Sequence, residues 1–260
     1  MEMLMQMFSY PFIVRAFIVG ILVSLCAALL GVSLVLKQYS MIGDGLSHVS
    51  YGALSIAIAC GIAPLALSIP VVIVAAFFLL RMTENGLMNS ALAIGVSVTS
   101  LTTGMTTDVC SYMFGSILAM TSADVYLSVG LSVIVLLLFI FCYHSIFTVT
   151  FDESFARATG VKVSFYMIAI LTAVTIVLGM QMMGAMLISS LVIFPALTSM
   201  RIWKSFKSVV ISSGILAVIC FCIGMIVSYQ FSTPAGASVV LVNLCAFAIF
   251  FVIQKIREHI

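Results

Sequence analysis

Charged residues are scarce in this sequence. Asp, Glu, Lys and Arg make up 7% of its 260 residues, whereas hydrophobic residues make up 64%. An average soluble domain is about 25% charged, so the composition excludes a soluble globular protein. It indicates a polytopic membrane protein with almost no room for a domain outside the membrane. The net charge of +2 is too small to indicate a nucleic-acid partner.

The sequence also lacks the short motifs of several enzyme classes. It has no GxxxxGK(S/T) phosphate-binding loop, so the chain is not expected to hydrolyse nucleotide. It has no HExxH pair and no GxSxG sequence, which disfavours an intramembrane metalloprotease or an esterase. Its seven cysteines form no CxxC pair, which disfavours a disulfide framework or a cysteine metal site. We therefore expect no enzymatic activity in this chain.

What the sequence does contain is a succession of long apolar runs. A helix that crosses the hydrocarbon core needs about 20 apolar residues, and backbone that faces lipid must be helical. We predict an all-α transmembrane bundle of eight to nine spans that forms a single domain over residues 1–260. The predicted spans are 12–36, 45–62, 64–80, 88–106, 124–147, 163–181, 184–200, 208–230 and 235–254.

The basic residues indicate how these spans are oriented. With nine spans and a cytoplasmic C-terminus, nine of the ten Lys and Arg residues fall on the cytoplasmic side, and only Arg15 does not. Membrane proteins show this bias in their short loops. The weakest boundary lies at 181–184, where the sequence offers little polar turn. Merging the two spans there would leave eight and would move the N-terminus to the cytoplasm.

The segment Tyr39–Gly52, YSMIGDGLSHVSYG, places an acid and an imidazole between apolar runs. Asp44 and His48 are four residues apart, so on a helix they share one face, with Cβ atoms about 5–6 Å apart. A carboxylate beside an imidazole suits a transition-metal ion, and ionisable groups within a membrane usually mark a substrate path. We predict that the pair contacts a metal ion in transit. Alternatively, Asp44 caps the helix that starts at Gly45, and His48 bonds a neighbouring helix.

The most polar stretch is Phe151–Gly160, FDESFARATG. Asp152 and Glu153 stand where a helix N-terminus favours acids, Arg157 comes late, and Gly160 suits a helix C-terminus. This pattern predicts a helix of about two turns outside the membrane. The segment is either a docking element for a cytoplasmic partner or a solvated connector.

Polar and small residues in other runs are candidates for lining a path. They are Asn89 in the fourth run, and Ser190 and Pro195 in the run 184–200. Such residues more often bond or pack against neighbouring helices, and the many small residues of 184–200 favour close packing over pore lining. Four methionines within 180–186 have thioethers that can bind Cu(I), but methionine is more often a flexible filler of apolar cores.

Four motifs in order along the chain resemble the membrane permeases of metal-specific ATP-binding-cassette importers, the group that takes up zinc, manganese or iron. The first is SxxGDxLSH within Tyr39–Gly52, and the second is DExxAxxxG over Asp152–Gly160. The third is GAxLxxSLxxxPAxT over Gly184–Thr198, and the fourth is TPAGASVVL at Thr233–Leu241. Their order and spacing extend over nearly the whole chain.

The resemblance implies a multi-pass permease of the bacterial inner (plasma) membrane that works as a homodimer. It implies two cytoplasmic ATPase subunits that bind ATP and an extracytoplasmic protein that delivers the metal, with zinc or manganese favoured over iron. It also implies that Asp44 and His48 lie on the cation path. The coupling helix that docks in the ATPase groove would then hold Asp152, Glu153, Phe155, Arg157 and Gly160.

Two functions of other classes use the same residues differently. A secondary carrier for a divalent cation, driven by protons or sodium, would use the same acid–imidazole pair but would need no ATPase. A membrane-embedded scaffold subunit would have no transport path, and the side chains around His48 would then form a dry bundle. Association with an ATPase separates the secondary carrier from the importer.

Overall fold

The computed structural model of the chain describes residues 7, 9–39, 43, 45–47, 49–50, 53, 57, 64–84, 122–160 and 165–259. Nine helices in this part of the chain have defined bounds, and no strand occurs among the described residues. They are α1 Pro11–Leu36, α2 Pro64–Glu84, α3 Ser122–Phe141, α4 Tyr143–Phe151, α5 Glu153–Ala158, α6 Phe165–Met183, α7 Ala185–Met200, α8 Phe206–Phe231 and α9 Ala235–His259. The predicted all-α class is therefore confirmed.

Helix α1 lies at the centre of the bundle. Helices α3, α6, α7 and α8 all pack against it. Its buried residues cover most of its circumference and include Phe17, Val23, Cys26 and Val32. A helix that is apolar all round is one that other helices surround. By contrast, α3 and α9 are mostly exposed, as helices at the periphery of a membrane bundle are.

Length and composition divide the helices into two groups. Four are long and apolar enough to cross a membrane, at Pro11–Leu36, Ala123–Phe141, Phe206–Phe231 and Ala235–Arg257. Shorter apolar stretches lie in α2, α6 and α7. The predicted spans 12–36, 208–230 and 235–254 agree with the first group to within a few residues. The predicted spans 45–62 and 88–106 lie wholly or mostly outside the described residues.

Glycines let two pairs of helices touch backbone to backbone. A Cβ atom on Gly31 of α1 would collide with the carbonyl oxygen of Val192 on α7. A Cβ atom on Gly224 of α8 would lie 2.5 Å from the Cα atom of Val239 on α9. Lipid is as apolar as the side chains, so close packing of small residues, rather than a hydrophobic drive, holds such helices together.

Gly184 separates α6 from α7 and confirms the boundary predicted at 181–184. Its φ of 88° and ψ of 159° lie in a region that is essentially restricted to glycine. Ile188 packs against Gly179, although nine residues of straight helix would separate the two by about 13 Å. The chain therefore folds back at Gly184, inside the bundle, where Met183 is buried and meets Gly20 of α1.

The predicted span 124–147 is not one straight helix. Helix α3 ends at Phe141 and α4 begins at Tyr143, because Cys142 has a φ of −92° and a ψ of 9° instead of helical angles. Backbone hydrogen bonds still cross the junction, from Cys142 N to Leu138 O at 2.9 Å and from Ile146 N to Cys142 O at 2.8 Å. The junction is a bend, and it directs α4 toward α5.

The directions of the helices bring the basic residues to one end of the bundle. The hydroxyl of Ser213 donates to the Ala28 carbonyl at 3.3 Å, and Phe221 meets Gly20, so α8 runs antiparallel to α1. The end of α1 therefore lies beside the start of α8, and the end of α7 lies beside the end of α9, where Arg201 donates to Gln254 at 3.2 Å.

The end of the bundle where α1, α7 and α9 end and α8 begins is called the basic end. It carries Lys37, Arg201, Lys204, Lys207 and Lys255. Arg15 and Asp124 lie near the starts of α1 and α3, at the opposite end. This is the grouping that the sequence predicted from the distribution of charge.

The contact between Gly31 and Val192 generates a prediction about stability. Replacing Gly31 with Ala should force α1 and α7 apart and destabilise the folded protein by about 1–3 kcal/mol, the usual cost of overpacking. Thermal denaturation of the purified chain in detergent measures the effect as a lower midpoint. Gly130→Ala is the matched control, because no atom lies within 4 Å of the added methyl group. An unchanged midpoint for Gly31→Ala would contradict the close approach.

Candidate functional site

The predicted metal-contact residues Asp44 and His48 lie outside the described residues, as does Asn89. The described residues that flank the pair are placed within the bundle. Leu46 and Ser47 are buried, and a Cβ atom on Gly43 would lie 3.7 Å from the Val192 side chain of α7. Gly43, the residue before Asp44 in the sequence, therefore lies beside the contact between α1 and α7. A metal contact at Asp44 and His48 stays a prediction.

Ser190 and Pro195 both lie buried in α7. The hydroxyl of Ser190 donates to the Leu187 carbonyl of its own helix at 2.8 Å, and Pro195 has no N–H to donate to the Leu191 carbonyl. Ser199, on the same helix, bonds the Ser212 hydroxyl of α8 at 3.3 Å. These contacts favour the packing interpretation of the small residues, and a path-lining role for Ser190 and Pro195 stays a prediction.

Helix α5 confirms the predicted short helix and its two ends. The side chain of Asp152 caps it, because Oδ1 accepts a hydrogen bond from Phe155 N at 2.9 Å, and the Asp152 carbonyl accepts one from Ala156 N at 3.1 Å. Gly160 has a φ of 75°, a left-handed conformation that suits glycine and ends the segment. The helix spans six residues, Glu153–Ala158.

One side of α5 packs on the bundle and the other is open. Ala156 is buried, whereas Phe155 is 58% exposed. The carboxylate of Glu153 lies 3.9 Å from the Lys37 ammonium at the end of α1. Arg157 belongs to the helix, but its side chain is outside the described set. Helix α5 therefore presents an aromatic side chain outward while an acid ties it to the central helix.

An aromatic cluster joins α4 to α8, and sequence analysis did not find it. Phe206, at the start of α8, lies with its ring centroid 5.7 Å from Tyr143, 5.1 Å from Phe147 and 5.9 Å from Phe151. The spacing of four residues along 143–151 puts the three α4 rings on one helix face, which was the available signal. Pairs of rings at such distances attract one another beyond their burial, so α4 and α8 are held together immediately beside α5.

The cap at α5 has an electrostatic consequence. Hydrogen bonds from the backbone N–H of Phe155, and from Ser154, lower the pKa of the Asp152 carboxyl below its ordinary value, and the positive charge of Lys37 acts in the same direction. The carboxylate form is therefore the one that caps the helix. Among the described residues, no group of three or more His, Cys, Asp or Glu side chains is placed to hold a metal ion.

Three comparisons with known proteins agree with one another. Residues 9–254 match the family model described as the ABC 3 transport family. The manganese import system permease protein ScaB of Streptococcus gordonii is 29% identical, over 98% of this chain and 96% of its own length. The high-affinity zinc uptake system membrane protein ZnuB of Haemophilus influenzae is 29% identical, over 90% of this chain and 94% of its own.

The fold is also similar to a solved structure, PsaBC from Streptococcus pneumoniae in complex with Fab. The TM-score is 0.85 at 27% identity, and the match covers 96% of this chain and 94% of that chain. The likeness therefore extends over the whole helical bundle rather than over one pair of helices.

The capping bond of Asp152 generates a prediction with a built-in control. Asp152→Ala should speed hydrogen exchange at the amides of Phe155 and Ala156, whereas Asp152→Asn should not, because an asparagine oxygen also caps a helix. Folding lowers the pKa of Asp152. The stability that its carboxylate gives to the helix cap is therefore fully present above the ordinary carboxyl pKa and is lost as the pH falls through the lowered pKa. The protection of these amides, taken relative to their intrinsic exchange at each pH, should therefore fall across that range in the native chain but not in the Asn variant. Equal exchange in all three chains would contradict the cap.

Proposed function

Because the chain belongs to the ABC 3 transport family, we propose that it is the membrane-spanning permease subunit of an ATP-binding-cassette importer for a divalent transition metal. The observation that carries this conclusion is the match over residues 9–254. Two relatives, named as a manganese import system permease protein and a zinc uptake system membrane protein, also match this chain over nearly their full length. In this role the chain is a single transmembrane domain, 1–260, that forms the path for the cation and carries out no chemical reaction itself.

In this proposal, Asp44 and His48 contact the metal ion on its path. A carboxylate and an imidazole suit manganese, zinc and iron alike, so these two residue types leave the choice among the three metals open. Two such pairs around the axis of a homodimer would give four ligands. One pair by itself supplies only two ligands, so it holds the ion weakly enough for the ion to leave again, as conduction requires. Asn89, Ser190 and Pro195 are the candidates for lining the path.

The importer also needs partners outside the membrane. We assign the ATP hydrolysis to two cytoplasmic ATPase subunits and the delivery of the metal to an extracytoplasmic binding protein. The grouping of Lys and Arg at the basic end supports a cytoplasmic C-terminus, since short cytoplasmic loops are rich in these residues. Because α5 lies at this end, it faces the side on which an ATPase would bind.

Helix α5 is the proposed coupling helix, and Asp152, Glu153, Phe155, Arg157 and Gly160 are its proposed functional residues. Its exposed Phe155 offers an apolar contact to a partner. Two connections lead from it into the bundle. The Lys37–Glu153 pair reaches the central helix α1, and α4 reaches α8 through the ring of Phe206.

These two connections support alternating access as the transport mechanism. When ATP closes the ATPase dimer, its groove displaces α5, and the displacement acts on α1 through Lys37 and on α8 through Phe206. Because α7 touches α1 at Gly31 without intervening side chains, α7 follows α1. The segment that carries Asp44 begins at the same contact, so the metal pair can open to one side of the membrane and then to the other.

The metal pair provides the first prediction of this function. Asp44→Ala and His48→Ala should each lower metal uptake by at least about tenfold, the loss that weaker, indirect contacts to a metal already cause. Uptake of radioactive manganese or zinc, measured at matched expression, tests this. His259→Ala removes another of the three histidines and should leave uptake unchanged. Native uptake in both Asp44→Ala and His48→Ala would exclude the pair from the path.

The coupling helix provides the second prediction. Phe155→Asp should abolish co-purification of the ATPase subunit, because a charge replaces the exposed apolar contact, whereas Phe155→Tyr should retain it. Arg157→Glu should assemble less well or lose metal-stimulated ATP hydrolysis. Phe231→Asp is the matched control, since Phe231 is 66% exposed at the opposite end of the bundle. A Phe155→Asp chain that assembles and hydrolyses ATP normally on addition of metal would refute this role for α5.

A further inference from the structure

A cavity of about 470 Å³ opens at the basic end, between α4 and the start of α8. Lys204, Lys207 and His144 supply its polar groups, and Tyr143, Phe147 and Phe151 form an aromatic wall. None of the described residues that line it carries a carboxylate. Two lysines in a cavity whose described lining carries no acid complement an anion, and the aromatic wall complements an apolar group attached to that anion.

An apolar groove of about 670 Å³ lies farther along α8, between α8 and α9. Ile211, Ile215 and Ile219 form one wall and Ile249 is part of the other, with Trp203 at the end nearest the cavity. Lys207 precedes Ile211 by one helical turn and Ile215 by two, so the three side chains follow one face of α8. Lys207 lines the cavity and Ile211, one turn later, lines the groove, so the two are neighbours along α8.

The groove has the length of one leaflet of a bilayer. From Ile211 to Ile223 the helix rises about 18 Å, whereas half of the hydrocarbon core is about 15 Å thick. Trp203 is 48% exposed at the basic end of the groove, where tryptophan commonly marks the boundary between hydrocarbon and headgroups. A groove of this length and composition fits one acyl chain.

We propose that an anionic phospholipid binds at this place. Its phosphate-bearing headgroup occupies the cavity against Lys204 and Lys207, and one acyl chain lies in the groove along Ile211, Ile215 and Ile219. Basic pockets between membrane helices on the cytoplasmic side bind anionic headgroups in this way. An acidic segment of the ATPase would complement the lysines equally well, but the apolar groove that adjoins them on α8 complements an acyl chain and not an acidic segment. The site therefore belongs to the membrane rather than to a protein partner.

Trp203 makes the proposal testable, because it is the one tryptophan of the chain. The full chain is reconstituted in phosphatidylcholine vesicles that contain small, equal fractions of either brominated phosphatidylglycerol or brominated phosphatidylcholine. Bromine on an acyl chain quenches only tryptophan that it touches. We expect the anionic lipid to quench Trp203 severalfold more strongly than the neutral lipid at the same fraction.

Charge variants identify the residues responsible. Lys204→Gln and Lys207→Gln should each lower the preference for the anionic lipid by about fivefold, the contribution of one lysine near an anionic surface. The Lys204→Arg and Lys207→Arg variants should keep it. Lys255→Gln is the matched control, because Lys255 lies at the basic end but lines neither the cavity nor the groove. Elution volume confirms that each variant is folded.

Three outcomes would overturn the proposal. One is equal quenching of the native chain by the two brominated lipids. Another is a loss of preference in Lys255→Gln as large as in Lys204→Gln, which would indicate general surface charge only. The third is unchanged lipid preference in the Lys204→Gln and Lys207→Gln variants together with weaker binding of the ATPase, which would assign the cavity to the partner. None of these measurements depends on metal transport, so the proposed function stands or fails separately.

Discussion

The fold depends on backbone contact between its central helix and the helix that folds back beside it. At Gly31 of α1 no side chain separates the helix from the Val192 carbonyl of α7. In lipid, helices are held by such close packing, because no hydrophobic drive exists between apolar surfaces in an apolar solvent. The fold-back at Gly184 brings α7 into that position. Gly43, which precedes Asp44 in the sequence, lies against the side chain of the same Val192.

The basic end shows how a membrane domain with few charges can be connected to events outside the bilayer. A helix of six residues, α5, carries an acid that reaches Lys37 of α1. Beside it, α4 reaches α8 through rings that surround Phe206. Contact alone does not show coupling between sites. One connection joins α5 to the central helix α1, and the other joins it through α4 to α8, which packs on α1. In the proposed mechanism, a displacement of α5 therefore acts on two helices at once.

Hydropathy was sufficient to predict the long apolar helices α1, α8 and α9, because a span of apolar residues has no alternative to a helix in lipid. The predicted run 12–36 matches Pro11–Leu36, and the glycine at 184 could be recognised as a boundary. The bend at Cys142 was not predicted, because the prediction treats the apolar run as continuous to 147 although the polar residues His144 and Ser145 follow the bend directly. The cluster at Phe206 depends on a contact between distant parts of the chain. For Asp44 and His48, spacing and chemistry predicted a shared role, and that role is still a prediction.

The central claim is that ATP, not an ion gradient, drives a divalent metal through this chain. The most direct test reconstitutes the chain, with the ATPase that co-purifies with it and the metal-binding protein, in sealed vesicles. The account predicts that the vesicles accumulate manganese or zinc only with ATP, and that ionophores which collapse proton and sodium gradients leave uptake unchanged. Uptake without ATP that the ionophores abolish would contradict the account and would identify a secondary carrier.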